Sequence, residues 1–258
     1  MTKTIDLNCD MGESFGAWTM GQDADVLAHV TSANIACGFH AGDPETMRRT
    51  VAAAIAHGVA IGAHPSLPDL AGFGRREMRV SPQDAYAMTL YQTGALAAFA
   101  RAAGARVHHV KPHGALYNMA ATDRALADAI ASAVRDFDAE LILVGLAESE
   151  LPAAGARIGL AVAHEAFADR RYENDGRLTP RGEAGAVIDD VDSAVAQAIA
   201  LVVRGEVATR QGENLRVRAD TICVHGDRPD GAVFARRLRE AMQSSGVAVA
   251  ALHAGSAA

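Results

Sequence analysis

The chain has 258 residues, of which 50% are apolar and only 5% aromatic, with a formal net charge of −7. This length is typical of one α/β barrel, and the apolar half is sufficient for a substantial core. The acidic balance and the lack of a basic patch argue against nucleic acid as a partner. No apolar run approaches the ~18 residues of a membrane span, and the first ten residues lack the apolar stretch of a secretory signal. We therefore predict a cytoplasmic protein with one domain over residues 1–258.

Eight short apolar runs are predicted to be strands, because most are too short and too rich in β-branched residues for helices. In chain order they are Thr4–Cys9, Ala33–Cys37, Val59–Ala63, Val107–Lys111, Glu140–Val144, Gly159–Ala163, Asp220–Val224 and Val247–Leu252. Helical patterns fill most of the gaps between them. Such alternation indicates parallel strands joined by right-handed crossovers. It predicts a (β/α) TIM-like barrel of seven or eight parallel strands, with an open doubly wound sheet as the alternative.

Five helices are predicted from apolar spacing and from capping residues. Asp43 is expected to cap the first, which starts at Pro44 and which Gly58 closes. Ser81 opens the second helix and Gly104 ends it. The other three are marked by apolar residues at every fourth position, namely Leu126, Ile130 and Val134, then Val195, Ile199 and Val203, and finally Phe234, Leu238 and Met242.

One long segment, at about residues 165–188, shows neither helical nor strand periodicity. It separates the sixth predicted strand from the helix that contains Val195. Loops of this length in compact domains are usually lids or binding loops. We therefore expect this segment to take part in binding.

Ionisable side chains follow most predicted strands at their carboxyl ends, where ligands bind in barrels and in open α/β sheets. In the first strand Asp6, Asn8 and Asp10 alternate with apolar residues, so their side chains share one face. Further ionisable residues after the strands are Glu13, His40, Asp43, His64, Lys111, His113, His164, Glu165, His225 and Asp227. Any single one is more often a turn or capping residue than a catalyst. Chance would scatter them over both ends of the sheet, so their coincidence predicts one site at this rim.

These carboxylates and imidazoles, together with one lysine, suit general acid–base chemistry on a polar substrate. Asp10, His40 and His64 are also weak candidates for divalent-metal ligands, since none of them belongs to an HxxxH or CxxC pair. The sequence has no GxxxxGK[ST] loop and no GxGxxG after a strand, so neither a P-loop nor a nicotinamide site is predicted. The three cysteines are widely spaced and are expected to be reduced thiols.

Six ordered segments resemble the LamB/YcsF family over about Ile5 to Leu252. They are DLNCDMGESFG, SANIACGFHAGDP, GAHPSLPDLAGFGRR, VKPHGALYN, EAFADRRYENDGRLTPR and the late HGD. The family is described as the A subunit of 5-oxoprolinase, and the resemblance implies a barrel related to those of glycoside hydrolases and polysaccharide deacetylases. It implies an enzyme that opens 5-oxo-L-proline to L-glutamate with ATP as co-substrate. It also implies that the chain works with two partners, the 5-oxoprolinase subunits B and C.

Such a reaction needs a base for water and cations for phosphate charge. A carboxylate is expected to be the base, the histidines to polarise the carbonyl or relay protons, and a lysine or loop arginine to meet phosphate or the substrate carboxylate. The candidate catalytic residues are Asp10, Glu13, His40, His64, Lys111, His113 and Glu165. The candidates for binding substrate or phosphate are Asn8, Asn34, Arg170, Arg171, His225 and Asp227.

The residues leave two other functions open. One is a metal-dependent deacetylase for a carbohydrate or another N-acyl substrate, which would share the barrel and the Asp/His groups. The other is a non-catalytic protein that binds 5-oxoproline within a complex. Which protein of the complex binds ATP, and whether a divalent metal takes part, also stay open at this point.

Overall fold

The structure is a computed structural model that describes residues 3–224 and 230–253. Its strands are β1 (Thr4–Met11), β2 (Ser32–Ala36), β3 (Ala60–His64), β4 (His109–Val110), β5 (Ile142–Leu146), β6 (Ala161–Phe167), β7 (Glu206–Ala208), β8 (Asn214–Arg216), β9 (Thr221–Val224) and β10 (Ala248–Val249). Its helices are α1 (Asp23–Leu27), α2 (Pro44–Ala56), α3 (Pro82–Ala102), α4 (Gly114–Ala120), α5 (Arg124–Phe137), α6 (Glu150–Arg157), α7 (Val191–Ile199) and α8 (Gly231–Ser244), with a π-helical turn, Ala200–Arg204, after α7.

Seven parallel strands form a closed barrel in the order β1-β2-β3-β4-β5-β6-β9, and β9 pairs back onto β1. The predicted barrel is therefore confirmed. The last predicted strand does not close it, because β10 pairs with Thr4 and Ile5 at the start of β1. The antiparallel pair β7–β8 was not predicted, since three residues in each strand give too short a pattern.

Two strand boundaries differ from the prediction in ways that affect the site. β4 is only His109–Val110, although Lys111 still donates its backbone N–H to Ala63 O at 2.9 Å. Pro112 follows directly and has no N–H to continue the ladder. β6 extends to Phe167, so Glu165 lies within the strand and not in the long loop.

The five predicted helices are present, and their caps follow the sequence signals. Asp43 accepts hydrogen bonds from the N–H groups of Glu45 and Thr46, both at 2.9 Å. Ser81 and Asp84 form a reciprocal capping box at the start of α3. The unpredicted helices α1, α4 and α6 have five to eight residues, too few to show helical periodicity. Within the described residues, no helix combines the length and the apolar composition that crossing a bilayer requires.

The alternation in β1 separates two environments. Ile5 and Leu7 belong to the apolar core, while Asp6 and Asn8 are only 1% and 2% exposed and bond to other strands inside the barrel. Asp6 accepts from the hydroxyls of Ser32 at 2.7 Å and Thr221 at 2.5 Å. Burial raises the pKa of Asp6 despite these bonds. The polar face predicted from the sequence therefore points into the barrel, where polar side chains of different strands must form hydrogen bonds with one another.

A glycine in β3 makes room for one buried ring of this interior. A β-carbon on Gly62 would lie 2.0 Å from Nε2 of His109, which bonds Asn34 Oδ1 at 2.7 Å. Burial lowers the pKa of His109 to about 3, so the ring is neutral at neutral pH. Gly62 and His109 thus form one packing unit beneath the site.

We expect Gly62→Ala to destabilise the protein by about 1–3 kcal/mol, because the added methyl forces the buried His109 ring to move. Urea unfolding measures this change. Gly94→Ala is the matched control, since its β-carbon would meet nothing nearer than Phe137 at 4.0 Å and its helix would gain stability. Equal unfolding midpoints for Gly62→Ala and the wild type would contradict the packing described.

Candidate active site

A cavity of about 680 Å³ lies at the carboxyl ends of the barrel strands. Its lining includes strand-end residues such as His64, Leu146 and Phe167. The long loop that follows β6 also borders it, through residues such as Arg170 and Arg181. A space of this size accommodates a small molecule. The loop therefore lies where a binding segment was expected.

The ammonium group of Lys111 is the centre of the buried polar network. Its Nζ lies 2.9 Å from Asp10 Oδ1, 2.8 Å from Glu165 Oε1, 3.2 Å from Asn8 Oδ1 and 3.2 Å from Cys223 Sγ. An ammonium has three hydrogens, so these neighbours saturate it. Burial disfavours its charge, but Asp10 and Glu165 outweigh burial and raise the pKa of Lys111 well above its usual value. Lys111 is thus a fixed internal cation.

Asp10 connects this cation to the cavity. Its Oδ1 accepts from Lys111 and, at 2.9 Å, from the amide of Asn34, while its Oδ2 lies 3.3 Å from Nε2 of His64. Burial alone would raise the pKa of Asp10, but the neighbouring His64 and Lys111 lower it well below the usual value. Asp10 is therefore ionised at neutral pH, and it lines the cavity.

Glu165 is completely buried and does not border the cavity. One oxygen accepts from Lys111 and, at 3.0 Å, from Asn8 Nδ2, and the other accepts from the Tyr117 hydroxyl at 2.6 Å. Burial and the adjacent Glu165 raise the pKa of Tyr117 well above its usual value, so it remains a hydroxyl donor. This arrangement makes Glu165 a counterion for Lys111.

Three imidazoles and Glu13 form a cluster beside Asp10. The His40 ring stacks on the His113 ring with centroids 3.8 Å apart, and His40 Nε2 lies 3.2 Å from Glu13 Oε1. His64 Nδ1 lies 2.7 Å from Lys111 O, and His113 Nε2 lies 2.9 Å from Phe73 O. Burial lowers the pKa of both His40 and His113 well below the usual value. These two rings are therefore neutral at neutral pH.

The arginines at the cavity have different surroundings. Arg170 is 6% exposed, donates through Nη2 to Thr179 O at 2.6 Å, and has a buried Nε with no hydrogen-bond partner among the described residues. Burial lowers the pKa of Arg170 to about 10, so it is still cationic at neutral pH. Arg75, Arg177 and Arg181 also border the cavity. Arg171 does not, and its backbone bonds Ala186 within the loop.

The structure brings most predicted site residues together. Asp10, Glu13, His64, Lys111, His113 and Arg170 line the cavity, while Asn8, Asn34, His40 and Glu165 lie behind that lining. His225 and Asp227 lie outside the described residues.

Three residues of the network were missed by the sequence interpretation. His109 alternates with Lys111 along the chain, a signal that could have placed both side chains inside the barrel. Cys223 was predicted only to be a reduced thiol, but it contacts Lys111. Tyr117 lies on the short helix α4, which has no periodic signal.

The segment GESFG matches the GxSxG pattern of a nucleophile elbow, but its serine is used locally. Ser14 Oγ donates to Met20 O at 3.3 Å and accepts from Met20 N at 3.0 Å. The segment follows β1 in a turn, not a strand–helix elbow. Ser14 is therefore a turn residue.

The two lysines of the chain provide a matched pair for testing the ion network. We expect Lys111→Met to cost about 3–5 kcal/mol in unfolding free energy, because it leaves buried carboxylates uncompensated. Lys3→Met changes an exposed residue and should stay within about 0.5 kcal/mol of the wild type. Chemical denaturation compares the two. Similar effects for both variants would mean that Lys111 is not a structural cation.

Comparison with known proteins identifies the family. The model of the LamB/YcsF family matches residues 5–257. A protein from Bordetella parapertussis, named as the A subunit of 5-oxoprolinase, is 61% identical over 97% of this chain and 100% of its own length. A protein of the same name from Methylococcus capsulatus is 62% identical over 98% of this chain and 97% of its own length.

Solved structures agree with this assignment. The lactam utilization protein of Thermus thermophilus superposes with a TM-score of 0.91 and 48% identity, covering 96% of this chain and 100% of that one. The catalytic domain of a peptidoglycan N-acetylglucosamine deacetylase from Eubacterium rectale shares the fold alone, with a TM-score of 0.50 and 13% identity over 97% of this chain and 88% of that one. The chain therefore belongs to the LamB/YcsF family, as its motifs predicted.

Proposed function

We propose that this chain is the A subunit of a 5-oxoprolinase, which opens 5-oxo-L-proline to L-glutamate while ATP is hydrolysed to ADP and phosphate. The observation that carries the proposal is the 61% identity, over 97% of the chain, with a protein named as that subunit. The name of the Thermus protein supports it, since 5-oxoproline is a lactam. In this role the chain works together with subunits B and C.

The chemistry explains the need for ATP. The lactam carbonyl is deactivated by its ring nitrogen, so water attacks it slowly. Transfer of a phosphoryl group from ATP to the lactam oxygen yields ADP and makes C5 a strong electrophile. Water then adds to C5, the C–N bond breaks as the nitrogen takes a proton, and a second water hydrolyses the resulting γ-glutamyl phosphate to glutamate and phosphate.

Asp10 is the residue that we assign to the attacking water. It is ionised, it lines the cavity, and its Oδ2 is not held by Lys111. Its lowered pKa makes Asp10 a weak base. Phosphorylation has already activated C5, so a weak base is sufficient. Asp10 needs only to orient the water and to accept its proton once the water has largely attacked C5. Lys111 keeps Asp10 ionised and in place, and Glu165 holds Lys111.

Arg170 is the group that we assign to an anionic part of the substrates. Arg170 lines the cavity, and a guanidinium suits a carboxylate or phosphate. Lys111 is less suited to this role because its ammonium is saturated by internal acceptors. We assign the carboxylate of 5-oxoproline to this position, in the cavity that Asp10 also lines.

A metal-dependent deacetylase is the second candidate function. The observation in its favour is the cluster of Glu13, His40, His64 and His113, whose possible ligand atoms all lie within 4.8 Å of one another. Both reactions break an amide C–N bond, so the site chemistry overlaps. The substrates differ, and product analysis separates the two functions. A protein that only binds 5-oxoproline would release neither product.

The direct test mixes the purified chain with subunits B and C, 5-oxoproline and ATP. We expect glutamate and phosphate to form in equal amounts, and omission of this chain or of ATP to stop both. Glutamate formation that does not need this chain would contradict the proposal. Release of acetate from an N-acetylated sugar by the chain alone would favour the deacetylase.

Neighbouring loop arginines give a matched test of substrate binding. We expect Arg170→Gln to raise the KM for 5-oxoproline about tenfold or more, because a charge-assisted hydrogen bond worth about 1.5–3 kcal/mol is lost. Arg171→Gln should leave the KM unchanged, since Arg171 does not border the cavity. Steady-state kinetics of the assembled complex, with thermal melting as a folding check, measures both. Equal KM values for the two variants would remove Arg170 from the binding site.

A further inference from the structure

Two imidazoles at the rim of the barrel turn one ring nitrogen each towards the other. His64 Nδ1 lies 2.7 Å from Lys111 O, and His113 Nε2 lies 2.9 Å from Phe73 O. A carbonyl oxygen only accepts hydrogen bonds, so in each ring the nitrogen that faces the carbonyl carries a hydrogen. The remaining nitrogens, His64 Nε2 and His113 Nδ1, are only 2.9 Å apart. When both rings are neutral, these two nitrogens present lone pairs, and lone pairs at this distance repel.

Two carboxylate oxygens also lie close to these ring nitrogens. Glu13 Oε1 lies 3.5 Å from His113 Nδ1, and Asp10 Oδ2 lies 3.3 Å from His64 Nε2. The buried network beneath already has two carboxylates, Asp10 and Glu165, around the single ammonium of Lys111. A further positive charge at this point would relieve both the lone-pair contact and the excess negative charge.

We propose that Glu13, His64 and His113 bind a divalent transition-metal ion such as zinc. Ligand atoms at about 2.0–2.1 Å from a tetrahedral ion are about 3.3 Å apart. The 2.9 Å between His64 Nε2 and His113 Nδ1 and the 3.5 Å between His113 Nδ1 and Glu13 Oε1 lie on either side of that value. Two imidazoles and one carboxylate form a ligand set that suits such ions.

The surroundings of the three ligands are those of a metal site. Metal-bound histidines usually donate their other N–H to a carbonyl or carboxylate, as His64 and His113 do here. His40 Nε2 lies 3.2 Å from Glu13 Oε1 and can hold that carboxylate in place, and His40 does not line the cavity. The three ligands all do, so the ion would have an open position facing the substrate space. There it would polarise an amide oxygen, a use that rests on the proposed function.

A proton shared between the two rings is the competing explanation for their close approach. That explanation requires one of the two rings to be protonated, with Asp10 Oδ2, 3.3 Å from His64 Nε2, as the nearby counterion. The two explanations predict different behaviour towards metal ions. A protonated pair needs no metal, whereas a site built from lone pairs binds one tightly.

The test is a calorimetric titration of the chelator-treated full chain with Zn²⁺, without substrate or partner subunits. We expect one ion per chain, and a loss of affinity of at least tenfold in Glu13→Gln and in His113→Gln. His57→Gln, on the exposed end of α2, is the control that should bind as the wild type does. Circular dichroism checks the fold, and Zn²⁺ should raise the melting temperature of the wild type and the control only.

Co²⁺ titration of the wild type gives a result that does not depend on the variants. We expect visible absorption bands of a site with nitrogen and oxygen ligands, saturating at one ion per chain. Absence of saturable binding by the wild type, or wild-type affinity in the folded Glu13→Gln and His113→Gln variants, would overturn the site. Because no substrate is present, failure here leaves the glutamate-release test untouched, and failure of glutamate release leaves the metal titration untouched.

Discussion

The buried ammonium of Lys111, held between Asp10 and Glu165, is the interaction on which the rest of the structure depends. A closed barrel of seven strands has an interior from which water is excluded, so a charge placed there must be compensated by side chains of other strands. Asn8 and Asn34 connect the carboxylates to the neighbouring strands. The polar interior and the closed barrel therefore stabilise each other.

The same network determines what the cavity offers to a ligand. Lys111 fixes the charge and orientation of Asp10 through Oδ1, so that Oδ2 lies beside His64 Nε2 at the cavity. Because His64 Nδ1 and His113 Nε2 are bound to backbone carbonyls, the other nitrogen of each ring faces the site. Arginines that border the same cavity, Arg170 among them, contribute positive charge. A polar amide with an anionic substituent matches this distribution of charge.

The sequence predicted the barrel and the clustering of most candidate site residues, because the patterns behind both predictions are local. Period-2 alternation in β1 identified the inward polar face, and the strand-end rule gathered Asp10, His64 and Lys111 correctly at one rim. Closure by β9 could not be predicted, since pairing partners are set by the twist and tilt of the whole sheet. Arg170 borders the cavity and Arg171 does not, a difference that depends on the conformation of the loop. Two identical residues in a row carry no sequence signal that distinguishes them.

The most direct measurement is single-turnover glutamate formation by complexes assembled with Asp10→Asn or with Asp43→Asn. The first change keeps the shape of the side chain but removes the charge that receives the proton of water. The second keeps a good helix cap away from the cavity. We expect a loss of at least about 100-fold for Asp10→Asn and wild-type rates for Asp43→Asn. Wild-type turnover by a folded Asp10→Asn complex would contradict the role of Asp10 as the base.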